Sequence, residues 1–273
     1  MIRKKADSKS SLVEMCHENF IEVFESLARM VPGSVVECIG GLTAVRMGMP
    51  GSAFNLVSGL DHPKSIAQVR EGIERLFLRT NTGFQIVTLP ETLDELEPLI
   101  QELNLTEKEV IPGMVLDPIP DACPDPPKEL QIRQVRGSDE ATDFLRTAAV
   151  GFGAPPTYFD ALKPAFLAGG ADPSSRNATY LGYVGDKPVA TSNRFTTGDV
   201  AGIYFVSTLP QFRGRGFGES MTWRAVADGR TAGCTLSYLQ ASMMGRPLYE
   251  RMGYRLVEEE YSQWKKKTPA TVS

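Results

Sequence analysis

Apolar residues recur at helical spacing along much of the chain. Phe20, Val23, Phe24 and Leu27 follow i, i+3, i+4, i+7, and Pro32-Gly33 ends that helix. The same period puts Ile66, Val69, Ile73, Leu76 and Phe77 on one face of a helix over 65–79. It puts Leu93, Leu96, Ile100 and Leu103 on one face of another over 91–104. Short apolar runs bounded by glycine or proline predict strands at 35–39, 42–47, 53–57 and 84–89. A further strand over 110–116 is interrupted at Pro112-Gly113.

Residues 117–127 (DPIPDACPDPP) carry five prolines, which neither a helix interior nor a central strand accommodates. The segment predicts a boundary, with one domain over 1–125 and a second over 126–273. The pattern then restarts with a strand over 130–135. Ser138 reads as the N-cap of the next helix, with Asp139 and Glu140 in its first turn and Phe144, Leu145 and Ala148 inward. A shorter helix over 157–167 follows, then strands over 179–184, 189–195 and 200–206. A helix over 216–229, a strand over 235–240, a short helix over 246–252 and a terminal strand pair near 254–265 complete the half. Three hairpin-like strands followed by strand–helix–strand predict a mixed, mostly antiparallel sheet between helices, an α+β fold in three layers. The halves share a coarse order, the strand and helix at 84–104 mirroring those at 235–252, which points to an internal duplication.

Composition narrows this picture. At 273 residues, with 42% hydrophobic and 23% charged positions, the chain is globular and long enough for two domains. A net charge of −4 argues against a general nucleic-acid binder. That charge is unevenly spread. Residues 1–125 hold 11 Lys+Arg against 19 Asp+Glu, and residues 126–273 hold 18 against 14. An anionic ligand therefore belongs on the second half. The basic start, MIRKKADSKSSLVEM, lacks the apolar run of a signal peptide, and no stretch reaches the roughly 18 apolar residues of a membrane span. These features predict a soluble, cytoplasmic protein. Cys16, Cys38, Cys123 and Cys234 are scattered without a CxxC, so neither a disulfide framework nor a metal site is expected. His17 and His62 are the only histidines and no GxSxG occurs, which disfavours a Ser–His–Asp hydrolase.

The chemistry concentrates in Ile203-Tyr-Phe-Val-Ser-Thr-Leu-Pro-Gln-Phe-Arg-Gly-Arg-Gly-Phe-Gly218, a strand, a glycine-rich loop and a helix start. Glycines at 214, 216 and 218 allow close backbone approach, and successive N–H groups of such a loop form an anion-binding nest. The helix that follows points its positive end at the same spot, and Arg213 and Arg215 add charged donors. A phosphate or pyrophosphate fits. The loop lacks the Lys-Ser/Thr of a P-loop, and its G-x-G-x-G spacing departs from the dinucleotide fingerprint.

Arg213-Gly-Arg-Gly-Phe-Gly218 matches the R/Q-x-x-G-x-G/A coenzyme A loop. A second segment, Leu239-Gln-Ala-Ser-Met-Met-Gly-Arg-Pro-Leu-Tyr-Glu-Arg-Met-Gly-Tyr254, has small polar residues after a strand, then a short helix bearing a tyrosine. In these paired motifs residues 130–265 resemble the GNAT superfamily of acyl-CoA-dependent N-acetyltransferases. The resemblance over 10–116 is fainter and implies a degenerate GNAT-like domain without its own coenzyme loop. It implies acetyl-CoA as co-substrate, no metal, and direct transfer of an acetyl group to a primary amine of a small molecule or peptide by a monomer or homodimer. By the same resemblance Val206, Ser207 and Thr208 line the pantetheine arm, and Arg213, Gly214, Arg215, Gly216, Phe217 and Gly218 hold the pyrophosphate. Ser242 approaches the coenzyme from the next strand, and Tyr249 is the general acid. Outside that context Tyr249 reads as a core tyrosine.

One departure stands out. Many family members carry a glutamate in the strand before the loop, and Val200–Val206 holds no acidic residue, only Asp199 before it and Tyr204 within it. The base stays unassigned, and a non-catalytic acyl-CoA-binding or regulatory module is the alternative. Arg224 and Arg230 could reach the coenzyme phosphates or simply be solvated, and Lys265–Lys267 reads as a solvated tail.

Overall fold

The computed structural model describes residues 9–168, 175–257 and 261–266; Lys267 and residues 1–8 of the basic start lie outside them. In chain order the first elements are α1 (Lys9–Met30), β1 (Val35–Ile39), β2 (Leu42–Arg46), β3 (Asn55–Ser58), α2 (Ile66–Ile73), β4 (Gln85–Thr88), α3 (Pro90–Glu102), β5 (Glu107–Ile111) and β6 (Gly113–Leu116). Then come β7 (Gln131–Gln134), α4 (Ser138–Gly151), α5 (Lys163–Ala168), β8 (Asn177–Val184), β9 (Lys187–Thr197) and β10 (Val200–Thr208). The last are α6 (Phe217–Thr231), β11 (Leu236–Gln240), α7 (Arg246–Arg251), β12 (Arg255–Leu256) and β13 (Tyr261–Lys265). The fold is α+β, two mixed sheets flanked by helices. No helix among the described residues is long and apolar enough to cross a membrane.

The chain forms two compact units, and they do not divide at the proline-rich segment. One comprises Ile21–Gly113 with Val257–Ser273, the other Met1–Phe20 with Met114–Leu256. The first unit's six strands run β1-β2-β3-β4-β13-β5. β13 lies inside that sheet, antiparallel to β4 over Ser262–Lys265 and to β5 over Tyr261–Lys265. Ile39, Leu42, Ala44, Val57, Ile73, Phe77, Ile86, Leu96 and Leu99 are buried together beneath α2 and α3. The apolar stripes at period 3.6 thus find the core they predict.

The second unit's seven strands run β12-β6-β11-β10-β9-β8-β7. β7 to β10 form antiparallel hairpins, and β10 pairs β11 in parallel. Phe217, Met221 and Val226 of α6 pack on Ala201 and Ile203. Against the opposite face, Phe144 of α4 and Phe166 of α5 lie 5.9 and 5.1 Å from the Phe205 ring.

Three local expectations change. The run 110–116 is two strands in two different sheets, because Pro112, between them, cannot donate to a ladder. The elements near 254–265 do not pair with each other: β12 joins β6, and β13 joins β4 and β5. Ser138 is the first helical residue rather than the N-cap. Gly137 caps α4 in extended backbone, and the Glu140 carboxylate accepts from the Arg136 and Gly137 amides at 2.7 and 3.3 Å.

Candidate active site

The site is built where β10 and β11 part. Their ladder covers only Val200–Gly202 opposite Leu236–Tyr238, so beyond Gly202 the β11-facing edge of β10 has no partner strand among the described residues. On its other edge β10 keeps pairing with β9, with an irregularity. Tyr204 opposes Asn193 and Ser207 opposes Thr191, leaving two residues of β10 against one of β9. This bulge puts Phe205 at φ +51°, a left-handed conformation uncommon for a bulky residue. It is held by the aromatic cluster around the Phe205 ring and by the Thr191 hydroxyl, which donates to the Phe205 carbonyl at 2.7 Å.

The glycine-rich loop follows a 3-10 turn at Pro210–Phe212. Gly214 and Gly216 stand at φ +75° and +76°, where glycine carries no Cβ penalty. Gly216 ends the loop as the cap of α6. The Ser220 amide donates to the Gly216 carbonyl at 3.0 Å, so the amides of Phe217, Gly218 and Glu219 precede the first intrahelical bond. Those N–H groups and the helix dipole make the N-terminus of α6 an anion-receptive corner. A Cβ on Gly218 would stand 3.5 Å from Thr208 Oγ1 and 3.8 Å from Leu248 Cδ2, so the end of β10, the start of α6 and α7 converge there.

The two arginine side chains are engaged elsewhere. Arg213 donates to the carbonyls of Thr208 at 3.2 Å and Gly151 at 2.8 Å, tying the end of β10 to the C-terminus of α4. Arg215 forms an ion pair with Glu129 and lies over the rings of Phe212 and Phe217. The Phe217 side chain is buried in the core, so only its backbone can serve a ligand. Ser207 is buried, and its hydroxyl shares a 2.8 Å hydrogen bond with Thr191. Ser242 is exposed and accepts from the Gly245 amide at 3.1 Å, shaping the turn into α7. Of the expected coenzyme contacts, the backbone of Val206–Thr208 and of Gly214–Gly218 is brought to one corner. The side chains of Ser207, Arg213, Arg215 and Ser242 serve local structure.

Tyr249 on α7 is buried beside that corner, its ring 5.9 Å from Tyr254. Burial pushes its hydroxyl up to about 12, partly offset by a hydrogen bond with Thr222, one turn along α6 from Gly218. Tyr254, also raised by burial, shares a 2.7 Å hydrogen bond with Ser237, which donates to the Ala201 carbonyl at 3.1 Å. The tyrosine pair therefore abuts the last paired residues of β10 and β11.

Sequence reasoning missed Asn19. It is fully buried on α1 and donates through Nδ2 to the Phe195 carbonyl at 3.1 Å. The Tyr204 hydroxyl donates to its Oδ1 at 2.6 Å. A Cβ at Gly202 would sit 1.9 Å from that oxygen, so any larger residue there forces Asn19 to shift. Two signals pointed here: a lone glycine inside a strand, and a polar residue on the apolar stripe that also carries Cys16 and Phe20.

Residues 131–257 match the family model described as an acetyltransferase (GNAT) domain. A GCN5-related N-acetyltransferase from Kribbella flavida superposes with a TM-score of 0.66 at 16% identity, over 94% of this chain and 97% of that one. Another from Sphaerobacter thermophilus gives 0.62 at 16% identity, over 94% and 90%. A tandem GNAT protein from the clavulanic acid biosynthesis pathway gives 0.61 at 12% identity, over 99% and 98%. No curated protein matches the sequence. Residues 131–257 are therefore similar in sequence to a GNAT acetyltransferase domain, and the fold is one shared with GCN5-related N-acetyltransferases.

Proposed function

We propose that the protein is an acetyl-CoA-dependent N-acetyltransferase that passes the acetyl group directly to a primary amine. The observation that carries this reading is the parting of β10 from β11 beyond Gly202, which leaves an unladdered strand edge leading to the amide-lined start of α6. An extended pantetheine arm offers amides that such an edge can bond, and a pyrophosphate fits the nest of Gly214–Gly218. The residues present suit that coenzyme.

The chain's own groups then have definite tasks. Backbone N–H groups at the bulge stabilise negative charge developing on the thioester oxygen. The cleft holds amine and thioester together, which removes much of the entropic barrier. As the amine nitrogen bonds to the carbonyl carbon, the C–S bond breaks and the thiolate departs. A thiol titrates near 8.5, and Tyr249 is held near 12. That raised value favours a hydrogen bond from Tyr249 to the thiolate over complete proton transfer. Tyr249 therefore stabilises the thiolate by hydrogen bonding, and the proton that finally settles on sulfur comes from the attacking nitrogen.

Titration calorimetry with acetyl-CoA and a thiol-release assay across primary amines test this reading. Micromolar binding with amine-dependent thiol release is expected. Binding without release from any amine would favour a non-catalytic acyl-CoA-binding module, and no binding would reject the coenzyme. Tyr249→Phe should lower kcat by about 10²-fold, the size of losing one preorganised donor to developing charge, with acetyl-CoA affinity nearly unchanged. An equal loss of both would make Tyr249 structural.

A further inference from the structure

We infer that Glu129 competes with the coenzyme's phosphates for Arg215, an intramolecular ion pair that lowers coenzyme affinity and eases release of the product CoA. This rests on the acetyl-CoA reading above and concerns the regulation of that site. Arg215 lies between Gly214 and Gly216, both at positive φ, so its backbone belongs to the phosphate nest. Its side chain is committed to Glu129. Nε donates to Glu129 Oε1 at 3.1 Å and Nη2 donates to Oε2, a two-donor pair on one edge of the guanidinium. A phosphate that takes this edge has to displace the carboxylate. The other edge shares Nη2 with the pair, so a phosphate there would stand beside the carboxylate, where like charges repel. On either edge Glu129 opposes the coenzyme.

Glu129 is held in place for this task. The Leu130 amide donates to the Pro127 carbonyl at 2.8 Å, which closes a turn with Lys128 and Glu129 at its tip. Leu130 is buried in the core, and Pro127 Cγ is 3.8 Å from where a Cβ would stand on Gly216. The turn is thus anchored against the loop itself, and pairing loses little chain entropy. Arg215 can in turn exchange partners. Its guanidinium lies over Phe212 and Phe217, 5.4 and 4.9 Å from the ring centroids. An aromatic face attracts a cation wherever over the ring its donors point, so the guanidinium can pass from carboxylate to phosphate on that platform. Arg213 is bonded to the carbonyls of Thr208 and Gly151, so of the two arginines Arg215 is the exchangeable one.

The test is titration calorimetry with acetyl-CoA and with CoA, at low salt and at about 0.5 M NaCl. The proteins are wild type, Glu129→Gln, Arg215→Gln, the double variant and Asp121→Asn. Asp121 is the control, because its loss removes the same charge from the proline-rich segment, where it pairs with Arg230 in the last turn of α6. Glu129→Gln should bind both ligands about fivefold more tightly at low salt, the contribution of one exposed ion pair, and the gain should shrink as salt screens it. The gain should vanish in the Arg215→Gln background, and Asp121→Asn should leave affinity unchanged. Unchanged or weaker binding by Glu129→Gln overturns the inference and leaves the acetyl-CoA reading intact. So does an equal gain in Asp121→Asn or in the Arg215→Gln background. No binding of acetyl-CoA by either wild type or Glu129→Gln overturns both. Glu129 and Asp121 are exposed, so their substitutions spare the core and carry the test even if Arg215→Gln, which loses its ring contacts, fails to fold.

Discussion

Tyr249 keeps its proton throughout the neutral range because burial, only partly offset by Thr222, pushes it up to about 12. No carboxylate lies in β10 to take a proton from an ammonium. The pH dependence should therefore follow the acceptor. For a simple alkylamine titrating near 10.4, log kcat/KM should rise with unit slope from pH 6 to about 10. Tyr249 should impose no alkaline fall below about pH 11, since the neutral, donating phenol persists until pH approaches its raised value. A plateau beginning near pH 7 would reveal an enzyme base outside this account. At this scale the sequence marked Tyr249 by its place in a motif. It offered Asn19 only as a polar residue on an apolar stripe, and could not name its partners Tyr204 and Phe195, which lie 185 and 176 residues away.

At the scale of elements, β10 carries the design. It pairs on both sides at its start, on one side beyond Gly202, and bulges at Phe205–Val206. Gly202 makes this compatible with Asn19, since any Cβ there would collide with the amide oxygen at 1.9 Å. Gly202→Ala should cost about 1–3 kcal/mol through forced displacement of Asn19, read as a lower urea midpoint at unchanged slope. A Gly202→Ala variant with the wild-type urea midpoint would show that Asn19 can move aside freely. The element types and most of their ends were legible from periodicity, as with the helix expected over 216–229 and found at Phe217–Thr231. The bulge was not legible, because Ile203–Val206 is an unbroken apolar run and its irregular register depends on which neighbours hold Phe205.

At the scale of the molecule, the chain's continuity and its compact units disagree. β13 completes a sheet otherwise built from residues before 112, and β6 belongs to the other sheet. Ending the chain at Val257 should leave β4 and β5 without their common partner and remove the bond from Trp264 Nε1 to Thr88 Oγ1, at 3.2 Å. Hydrogen exchange should then show amides of β4 and β5 losing protection while β8, β9 and β10 retain theirs. Uniform loss across both sheets would mean that the two units fold as one cooperative body. Expressing 1–125 and 126–273 separately should likewise strand β6 and β13 with the wrong fragments.

The sequence by itself determined most of the elements, the mixed sheet and the glycine-rich loop ahead of α6, since helical period, strand alternation and Gly214-Arg-Gly216 are local properties of the chain. It also located the charge, putting the basic surplus in the half that holds the loop. The tertiary structure alone decided which strands share a sheet, where Arg213 and Arg215 direct their guanidinium groups, and that Asn19 of α1 bonds Tyr204 of β10. The reason is physical. Local patterns record how a segment hydrogen-bonds and which face it buries, while pairing partners and side-chain destinations are fixed by the free energy of groups that meet only when distant segments pack.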